Sequence, residues 1–375
     1  MPKSVTLLDI AKALGISTGT VHRALHNHAG VNALTKTRVL RTAKSMGYRV
    51  NLAARYLSMK RNYRISVNTL KGLISYWDEV RTGIKVEAEA IGMDSVELEF
   101  RTYSMMQGQG EEEAFREALE ANVDGIITFP THPKNLGTWM HRASRSEIPV
   151  VCVTADAPDT RRLAVVSIDT GLSGSLAADV MGRVLRGKGC VAVTLGSRQI
   201  TEHAEKHRAF QQTLHTYYPE IKLVAVVEDD ANEAEAYEKS KALFQQCPEL
   251  NGVYVATETS IPVLQAAREA GILSQLNVVT TDLFPDLVKE IRREAVLATL
   301  YQRPNQQGRM AFRVLHEFLV QGACPMAQVT LAPHLVMRGS LDYFLQREAI
   351  LENPESNGRT KAADAATGRW STASR

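Results

Sequence analysis

The chain has 375 residues, and its 44 Lys and Arg against 41 Asp and Glu give a net charge of +3. That total combines residues 1–64, with twelve basic residues and one acid (net +11), and a remainder with 32 basic and 40 acidic residues (net −8). The basic part predicts a polyanionic partner, and the lack of any run near the ~18 apolar residues of a membrane span excludes a spanning helix.

The first fifty residues are predicted to form three short helices. Apolar residues recur at helical spacing over residues 7–14, 18–25 and about 35–46. The segment Thr6 to Asp9 is close to a capping box, Gly15 ends the first helix, and Ser17 or Thr18 caps the second. The inward face of the third helix is predicted to contain Val39, Leu40, Ala43 and Met46.

Two short helices joined by a glycine-containing turn form a helix-turn-helix, whose second helix lies in the major groove of DNA. Its early residues here are Thr18, Gly19, His22 and Arg23. Arg23 can contact guanine through two hydrogen bonds, and Thr18 and His22 can donate or accept. The alternative is a small helical domain with a solvated basic face. Because the charge excess coincides with the turn, we favour DNA binding.

Residues 5–27, 35–40 and 46–51 resemble the DNA-binding head of the lactose-repressor (LacI/GalR) family. The family commonly has Val-Ser-Arg where this chain has Val21-His22-Arg23. This departure affects the base preference expected at His22 but not the expected docking mode. Asn51 to Lys60 matches the family's hinge helix, which in a dimer lies in the minor groove and wedges a leucine between bases. Leu57 matches that leucine and Ala54 the small residue beneath it; the alternative for Leu57 is an ordinary buried leucine. The DNA-binding residues that the resemblance implies are Thr6, Ser17, Thr18, Thr20, His22, Arg23, Asn27, Asn51, Ala54 and Leu57.

From Arg64 onward, short apolar runs alternate with amphipathic stretches. Strands are predicted at 65–69, 95–100, 125–129, 150–153, 165–168, 191–195, 223–227, 252–255, 278–281 and 297–301. Helices are predicted near 76–91, 111–121, 172–186, 203–215, 231–246, 260–270, 285–294 and 305–321. This alternation predicts parallel sheets covered on both faces, and about 280 residues are enough for two α/β lobes. A ligand would then bind between the lobes, beyond the carboxyl ends of the strands.

Residues 64 to about 344 resemble type I periplasmic sugar-binding proteins, the fold of the repressor family's effector domain. The resemblance rests on the segments 76–83, 148–158, 167–170, 206–210, 280–282 and 301–308. It implies that Tyr76 and Trp77 stack on a sugar, that Asp282 bridges sugar hydroxyls and that Gln302 is a ligand amide. Alternatively, Trp77 packs in the hydrophobic core, Asp282 caps the helix predicted at 285–294, and Gln302 forms hydrogen bonds within a turn.

Three positions depart from the sugar pattern. Lys206 stands where the family usually has an Arg that forms two hydrogen bonds with sugar hydroxyls. Thr154-Ala155 stands where sugar binders often have Asp-Arg, and Thr257-Glu258 stands where an Asn is common. The default ligand is a sugar or a sugar-derived acid. The expected ligand-binding residues are Tyr76, Trp77, Thr154, Asp156, Lys206, Thr257, Asp282 and Gln302.

We expect neither a metal nor a cofactor. His203 and His207 have metal-ligand spacing, but the sequence offers no third ligand nearby. The segment from Gly182 to Gly189 lies between a helix and a strand, the reverse of a phosphate loop. Four separate cysteines and the lack of a signal peptide favour buried free thiols in a reducing cytoplasm.

The expected architecture is therefore α plus α/β. Residues 1–50 form the helix-turn-helix domain and 51–63 the hinge helix and linker; residues 64–346 form a two-lobed effector-binding and dimerisation domain, and 353–375 a disordered tail. The expected function is that of a homodimeric transcriptional repressor that binds double-stranded operator DNA and responds to a sugar-like effector. It is not expected to be an enzyme. The alternatives are an α/β enzyme with a DNA-binding regulatory head and a transport binding protein.

Overall fold

Three helices surround one small core in the N-terminal part of the chain: α1 (Leu7–Leu14), α2 (Thr18–Leu25) and α3 (Ala33–Ser45). The core contains Ile10, Ala11, Val21, Ala24, Val39 and Ala43. Leu40 was expected in this core, but 45% of it is exposed. Val39 and Ala43, four residues apart, form the buried stripe of α3, and the helical twist turns Leu40 away from that stripe.

The computed structural model describes residues 7–25, 30–46, 62–71, 74–91, 96–104 and 109–352. The chain divides into two compact units, residues 1–61 and residues 62–375. The expected hinge helix and the expected disordered tail lie outside the described residues.

The second unit, called the body below, contains two six-stranded sheets. The first has the order β11-β5-β4-β3-β1-β2 and the second β12-β10-β9-β8-β6-β7. All pairs are parallel except β10 with β12. The strands are β1 (Tyr63–Leu70), β2 (Val96–Tyr103), β3 (Gly125–Thr128), β4 (Val150–Val153), β5 (Ala164–Ile168), β6 (Lys188–Leu195), β7 (Glu220–Glu228), β8 (Leu250–Val255), β9 (Asn277–Thr281), β10 (Ala298–Tyr301), β11 (Gln328–Leu331) and β12 (His334–Val336).

Each sheet is packed against helices and forms one lobe. The helices are α4 (Ile74–Ile91), α5 (Gln109–Glu120), α6 (Pro133–Arg145), α7 (Thr170–Val184), α8 (Thr201–Tyr217), α9 (Glu233–Gln246), α10 (Ser260–Glu269), α11 (Pro285–Arg292), α12 (Pro304–Gln321) and α13 (Leu341–Glu352). Helices α4, α5, α6 and α12 pack in the first lobe and the other six in the second. The chain passes between the lobes after β5, after β10 and between β11 and β12.

The predicted strands and helices of the body match the observed ones to within three residues at each end. Four elements were not predicted: α6, α13, β11 and β12. The cysteines are free, with Cys152 buried, Cys190 and Cys247 half-buried and Cys324 exposed. Among the described helices, none is both long and apolar enough to cross a membrane.

Candidate functional site

The turn between α1 and α2 has the geometry of a helix-turn-helix. Gly15 has φ +65°, the left-handed conformation that glycine adopts at a helix end. Ser17 Oγ accepts a hydrogen bond of 3.1 Å from Thr20 N and so caps α2. Thr18, Gly19 and Arg23 are exposed on α2. The side chains expected to meet base edges are thus accessible wherever the structure describes them.

Several residues of the expected DNA-binding set cannot be placed. Ser17, Thr18, Thr20 and Arg23 lie among the described residues. The side chain of His22 and the residues Thr6, Asn27, Asn51, Ala54 and Leu57 lie outside them, so their roles stay predictions from the sequence.

A small cavity lies between the two lobes of the body, where the carboxyl ends of their strands face each other. Its volume is about 30 Å³, enough for a water molecule but far below the ~300–1,000 Å³ of typical ligand pockets. It is lined by Leu70, Tyr76, Trp77, Phe129, Thr154, Ile200, Glu202, His203, Lys206, Ala231, Ala256, Thr257, Glu258, Asp282 and Gln302. Seven of the eight expected ligand-binding residues are in this set.

The eighth, Asp156, lies elsewhere. It lines a neighbouring crevice of about 530 Å³. Its carboxylate forms two hydrogen bonds with the Arg162 guanidinium, which satisfy both oxygens. The backbone of Asp156 instead contacts the second lobe, because its N–H donates to Thr201 Oγ1 at 3.0 Å and its carbonyl accepts from the same hydroxyl. The structure therefore does not bring the Asp156 side chain to the cavity.

Close helix packing positions the aromatic side chains. A Cβ on Gly83 would lie 2.0 Å from the Asn305 carbonyl oxygen, so α4 and α12 approach backbone to backbone. The first turn of the same helix carries Tyr76 and Trp77. Trp77 is only 1% exposed, and its ring lies 4.6 Å from that of Phe129. The two interpretations of Trp77 are therefore compatible: it packs in the core and also lines the cavity.

Lys206 is fully buried and has no N–H left for a ligand. Its ammonium forms an ion pair with Glu202, one turn earlier on α8. It also donates to the Ala256 carbonyl at 3.1 Å and to Gln302 Oε1 at 2.9 Å. Since an ammonium has three N–H donors, this geometry makes Lys206 a support for Gln302 and not a direct ligand contact.

Gln302 and Asp282 form the next layer of this network. Gln302 Nε2 donates to Asp282 Oδ2 at 2.8 Å, while Asp282 Oδ1 is buried with no hydrogen-bond partner among the described residues. Asp282 does not cap α11, because the N-cap position is Phe284. The Trp77 indole N–H also lacks a partner among the described residues. Buried polar atoms of this kind require a partner, so one donor and one acceptor at the cavity are available to a ligand.

Two of the cavity residues have unusual backbone conformations. Thr154 and Asp282 both have φ +70°, in the left-handed region that residues other than glycine rarely adopt. Each directly follows a strand, β4 in the first lobe and β9 in the second. Thr154 shares a hydrogen bond of 2.9 Å with the Tyr76 hydroxyl. Such strain persists only where the surrounding structure enforces it, and it is concentrated at functional sites.

Two acids of the cavity, Asp282 and Glu258, have raised pKa values. Burial raises the pKa of Asp282 to about 7, although Lys206 and Gln302 act in the opposite direction. Burial and then the charge of Asp282 raise the pKa of Glu258 to about 8. Burial lowers the pKa of His203, which favours the neutral imidazole. Glu202, His203 and Glu258 were not among the expected ligand-binding residues. The spacing of Glu202 and Lys206, four apart on a helix, was the available signal for the ion pair.

His203 and His207, which have metal-ligand spacing, lie on α8. Among the described residues, no group of three or more His, Cys, Asp or Glu side chains is arranged to hold a metal ion. His203 Nδ1 accepts a hydrogen bond of 3.1 Å from Ser197 N. This ring nitrogen therefore already has a protein partner.

Comparison with known families matches both parts of the chain. Residues 67–323 match the periplasmic binding protein domain family, and residues 6–51 match the bacterial regulatory proteins of the lacI family. Catabolite control protein A of Staphylococcus aureus strain MRSA252 is 23% identical over 354 residues, 90% of this chain and 99% of its own. The D-allose-binding periplasmic protein of Escherichia coli strain K12 is 24% identical over 261 residues, 68% of this chain and 83% of its own.

Solved structures show the same fold for the body. A fructose binding periplasmic domain of a hybrid two component system has a TM-score of 0.73 at 20% identity, covering 79% of this chain and 97% of its own. A glucose-galactose binding protein from Geobacillus stearothermophilus has a TM-score of 0.71 at 24% identity, covering 75% of this chain and 99% of its own. At these identities the likeness establishes the α/β fold alone.

Proposed function

We propose that this chain, whose body belongs to the periplasmic binding protein domain family and whose residues 6–51 match the lacI family of bacterial regulatory proteins, is a cytoplasmic, homodimeric transcriptional repressor. In this proposal α2 reads an operator, and a sugar-like effector in the body controls operator affinity. The observation that carries the proposal is the cavity between the lobes, where the Asp282 acceptor and the Trp77 donor have no partner in the part of the chain that the structure describes. That combination suits a hydroxylated ligand, because each hydroxyl can both donate and accept.

The relatives support both halves of this proposal. Catabolite control protein A spans nearly the whole chain, and the relative named for D-allose aligns with 68% of it. In the proposed mechanism, effector binding changes the arrangement of the lobes, and the dimer then holds DNA with a different affinity. The two ligands share one coupling free energy, typically ~1–3 kcal/mol.

We propose Tyr76, Trp77, Asp282 and Gln302 as the residues that contact the effector. Thr154 and Thr257 also line the cavity and complete its polar wall. The effector is released unchanged, so the protein is not an enzyme. The competing possibility is suggested by Glu258 and Asp282, two carboxyls that could exchange protons with a substrate near neutral pH. Recovery of an unaltered effector after prolonged incubation favours the regulator, whereas a released product would establish an enzyme.

The DNA-binding half can be tested on the purified full-length chain. A duplex selected from a random pool should be a pseudo-palindrome, and its affinity should fall steeply between about 50 and 200 mM salt. Arg23→Ala should cost ~1–3 kcal/mol at one base pair per half-site and relax the preference there. Arg183→Ala, which removes an exposed charge from the body, is the matched control. An unchanged base preference in Arg23→Ala would contradict the assignment of α2 as the recognition helix.

A further inference from the structure

The carboxyl groups in the cavity between the lobes outnumber its cationic groups. Its described walls contain three carboxyls, Glu202, Glu258 and Asp282, and one ammonium, Lys206. His203 is held neutral because burial lowers its pKa. Lys206 is paired with Glu202, and its other two N–H groups go to Ala256 and Gln302, as described above. The carboxyls of Glu258 and Asp282 therefore lack a dedicated positive partner in this wall.

The charge of Asp282 acts on Glu258. The charge of Asp282 raises the pKa of Glu258, and Glu233 acts on Glu258 in the same direction. Around Asp282, Lys206 opposes the effect of burial while Glu202 adds to it. Among the described residues, the Glu258 carboxylate accepts a long hydrogen bond of 3.4 Å from Tyr76 N and a contact from the Ser75 side chain. Asp282 Oδ1, in a residue 5% exposed, has no partner among the described residues.

Aromatic rings lie beside the two carboxyls. Tyr76 and Trp77 are packed edge to face at 5.1 Å, and Phe129 lies against Trp77. Ring faces attract a desolvated cation, and carboxylates attract it more strongly. The unpaired indole N–H of Trp77 needs an acceptor, which a hydroxyl oxygen provides and an ammonium does not. The site thus combines features for a cation with one feature for a hydroxyl.

We propose that the effector is an amino sugar, whose protonated amino group lies between Glu258 and Asp282 and whose hydroxyl accepts from Trp77. This inference rests on the proposed function and specifies the effector class. Because burial raises the pKa of Glu258 to about 8 and that of Asp282 to about 7, a neutral sugar meets the protonated carboxyls, whereas an ammonium displaces their protons and gains charge-assisted hydrogen bonds to the ionised forms. A sugar acid or sugar phosphate would add a further negative charge and be repelled. The carboxyls therefore discriminate among sugars by charge.

Isothermal titration calorimetry of the full-length protein tests this with matched sugars. Each series contains the amino sugar, its parent hexose and its N-acetyl derivative: D-glucosamine, D-glucose and N-acetyl-D-glucosamine, with the corresponding galactose and mannose series. At least one amino sugar should bind ten or more times tighter than both of its neutral counterparts. At neutral pH its binding should release protons, because a cation lowers the pKa of both carboxyls; a neutral sugar should release none.

Two variants separate charge recognition from shape. Glu258→Gln should weaken binding of the amino sugar about tenfold and should change the affinity for the parent hexose less than threefold. Asp282→Asn should also reduce the preference, which keeps the test valid if the first variant folds poorly. Glu238→Gln removes the same charge from an exposed position on α9 and should change neither affinity.

Other outcomes overturn the proposal in distinguishable ways. A parent hexose that binds as tightly as its amine, or a preference that survives Glu258→Gln, refutes the amino-sugar assignment but leaves a sugar-controlled regulator intact. Failure of every sugar to bind refutes the assignment and also the sugar class of effector. Only failure to select an operator duplex counts against DNA-binding regulation itself.

Discussion

Replacing Lys206 by Met should strongly destabilise the body. Lys206 is 0% exposed and its partner Glu202 is 5% exposed, so the variant leaves a carboxylate buried without its counter-charge. Removing one member of a buried pair typically costs ~3–5 kcal/mol. The Ala256 carbonyl and Gln302 Oε1 also lose a donor. We therefore expect a loss of about 5 kcal/mol in the free energy of unfolding, since such terms are only partly additive.

A second variant isolates the charge. In the double variant with Glu202→Gln, both charges are gone and only the two unsatisfied acceptors remain, so the loss should fall to about 2 kcal/mol. The difference of about 3 kcal/mol is the cost of the isolated carboxylate. Lys239→Met is the matched control, because Lys239 pairs with Glu235 at the same helical spacing but its side chain is 44% exposed. That variant should lose less than about 1 kcal/mol.

Urea unfolding followed by tryptophan fluorescence measures these losses, and a change of pH adds a check. His203 Nε2 lies 3.3 Å from Glu202 Oε2, and burial followed by Lys206 lowers the pKa of His203. Without Lys206 the His203 pKa should rise, which stabilises the folded state at low pH and is lost as pH rises. The penalty of Lys206→Met should thus be smaller at about pH 5.5 than at about pH 8. A double variant as unstable as the single one would refute the pairing.

Three further outcomes are expected. Trp77→Ala should reduce the free energy of unfolding by ~3–5 kcal/mol because the ring is buried, and a thermal melt that does not move would contradict this. Leu57→Ala should reduce operator bending in a gel-phasing assay, as the family resemblance predicts, whereas an unaltered bend would make Leu57 an ordinary linker residue. Burial raises the pKa of Asp229 to about 7, so the folded state holds a proton that the unfolded chain, with a pKa of about 3.9, has lost. Stability should therefore fall as pH rises from about 4 to about 7, and urea unfolding should show a smaller fall in Asp229→Asn.

The sequence was sufficient to place most of the parallel elements, because buried strands such as β4 are continuous apolar runs between amphipathic helices. The two missed strands, β11 and β12, lack that pattern. Strand β11 alternates between exposed and half-buried residues at a sheet edge, and β12 has three residues. Helix α6 has a polar composition and contains Gly137, which lowers helix propensity. Their formation depends on contacts with distant parts of the chain.

The same distinction holds for the cavity. Residues that directly follow strands, such as Asp282 and Gln302, could be placed from topology alone, since the carboxyl ends of parallel strands meet at one edge. The orientation of a side chain could not. Asp156 follows β4 but turns to Arg162, and Lys206 is directed inward yet fully occupied by protein groups. The orientation of each side chain depends on which neighbouring group binds it in the folded protein. The sequence alone does not show which groups become neighbours.

The small volume of the cavity bears on control by an effector. A volume of about 30 Å³ is far below that of a typical ligand pocket, so we expect the lobes to separate further when a sugar enters. The Tyr301 hydroxyl of the second lobe donates to Glu79 of the first at 3.1 Å, and Thr201 contacts the Asp156 backbone across the same boundary. Each hydrogen bond of this kind contributes ~0.5–1.5 kcal/mol, so a few of them favour closure by an amount comparable to a typical coupling free energy. A ligand that contacts both lobes only when they close around it can therefore shift this balance, whereas one that binds both arrangements equally cannot.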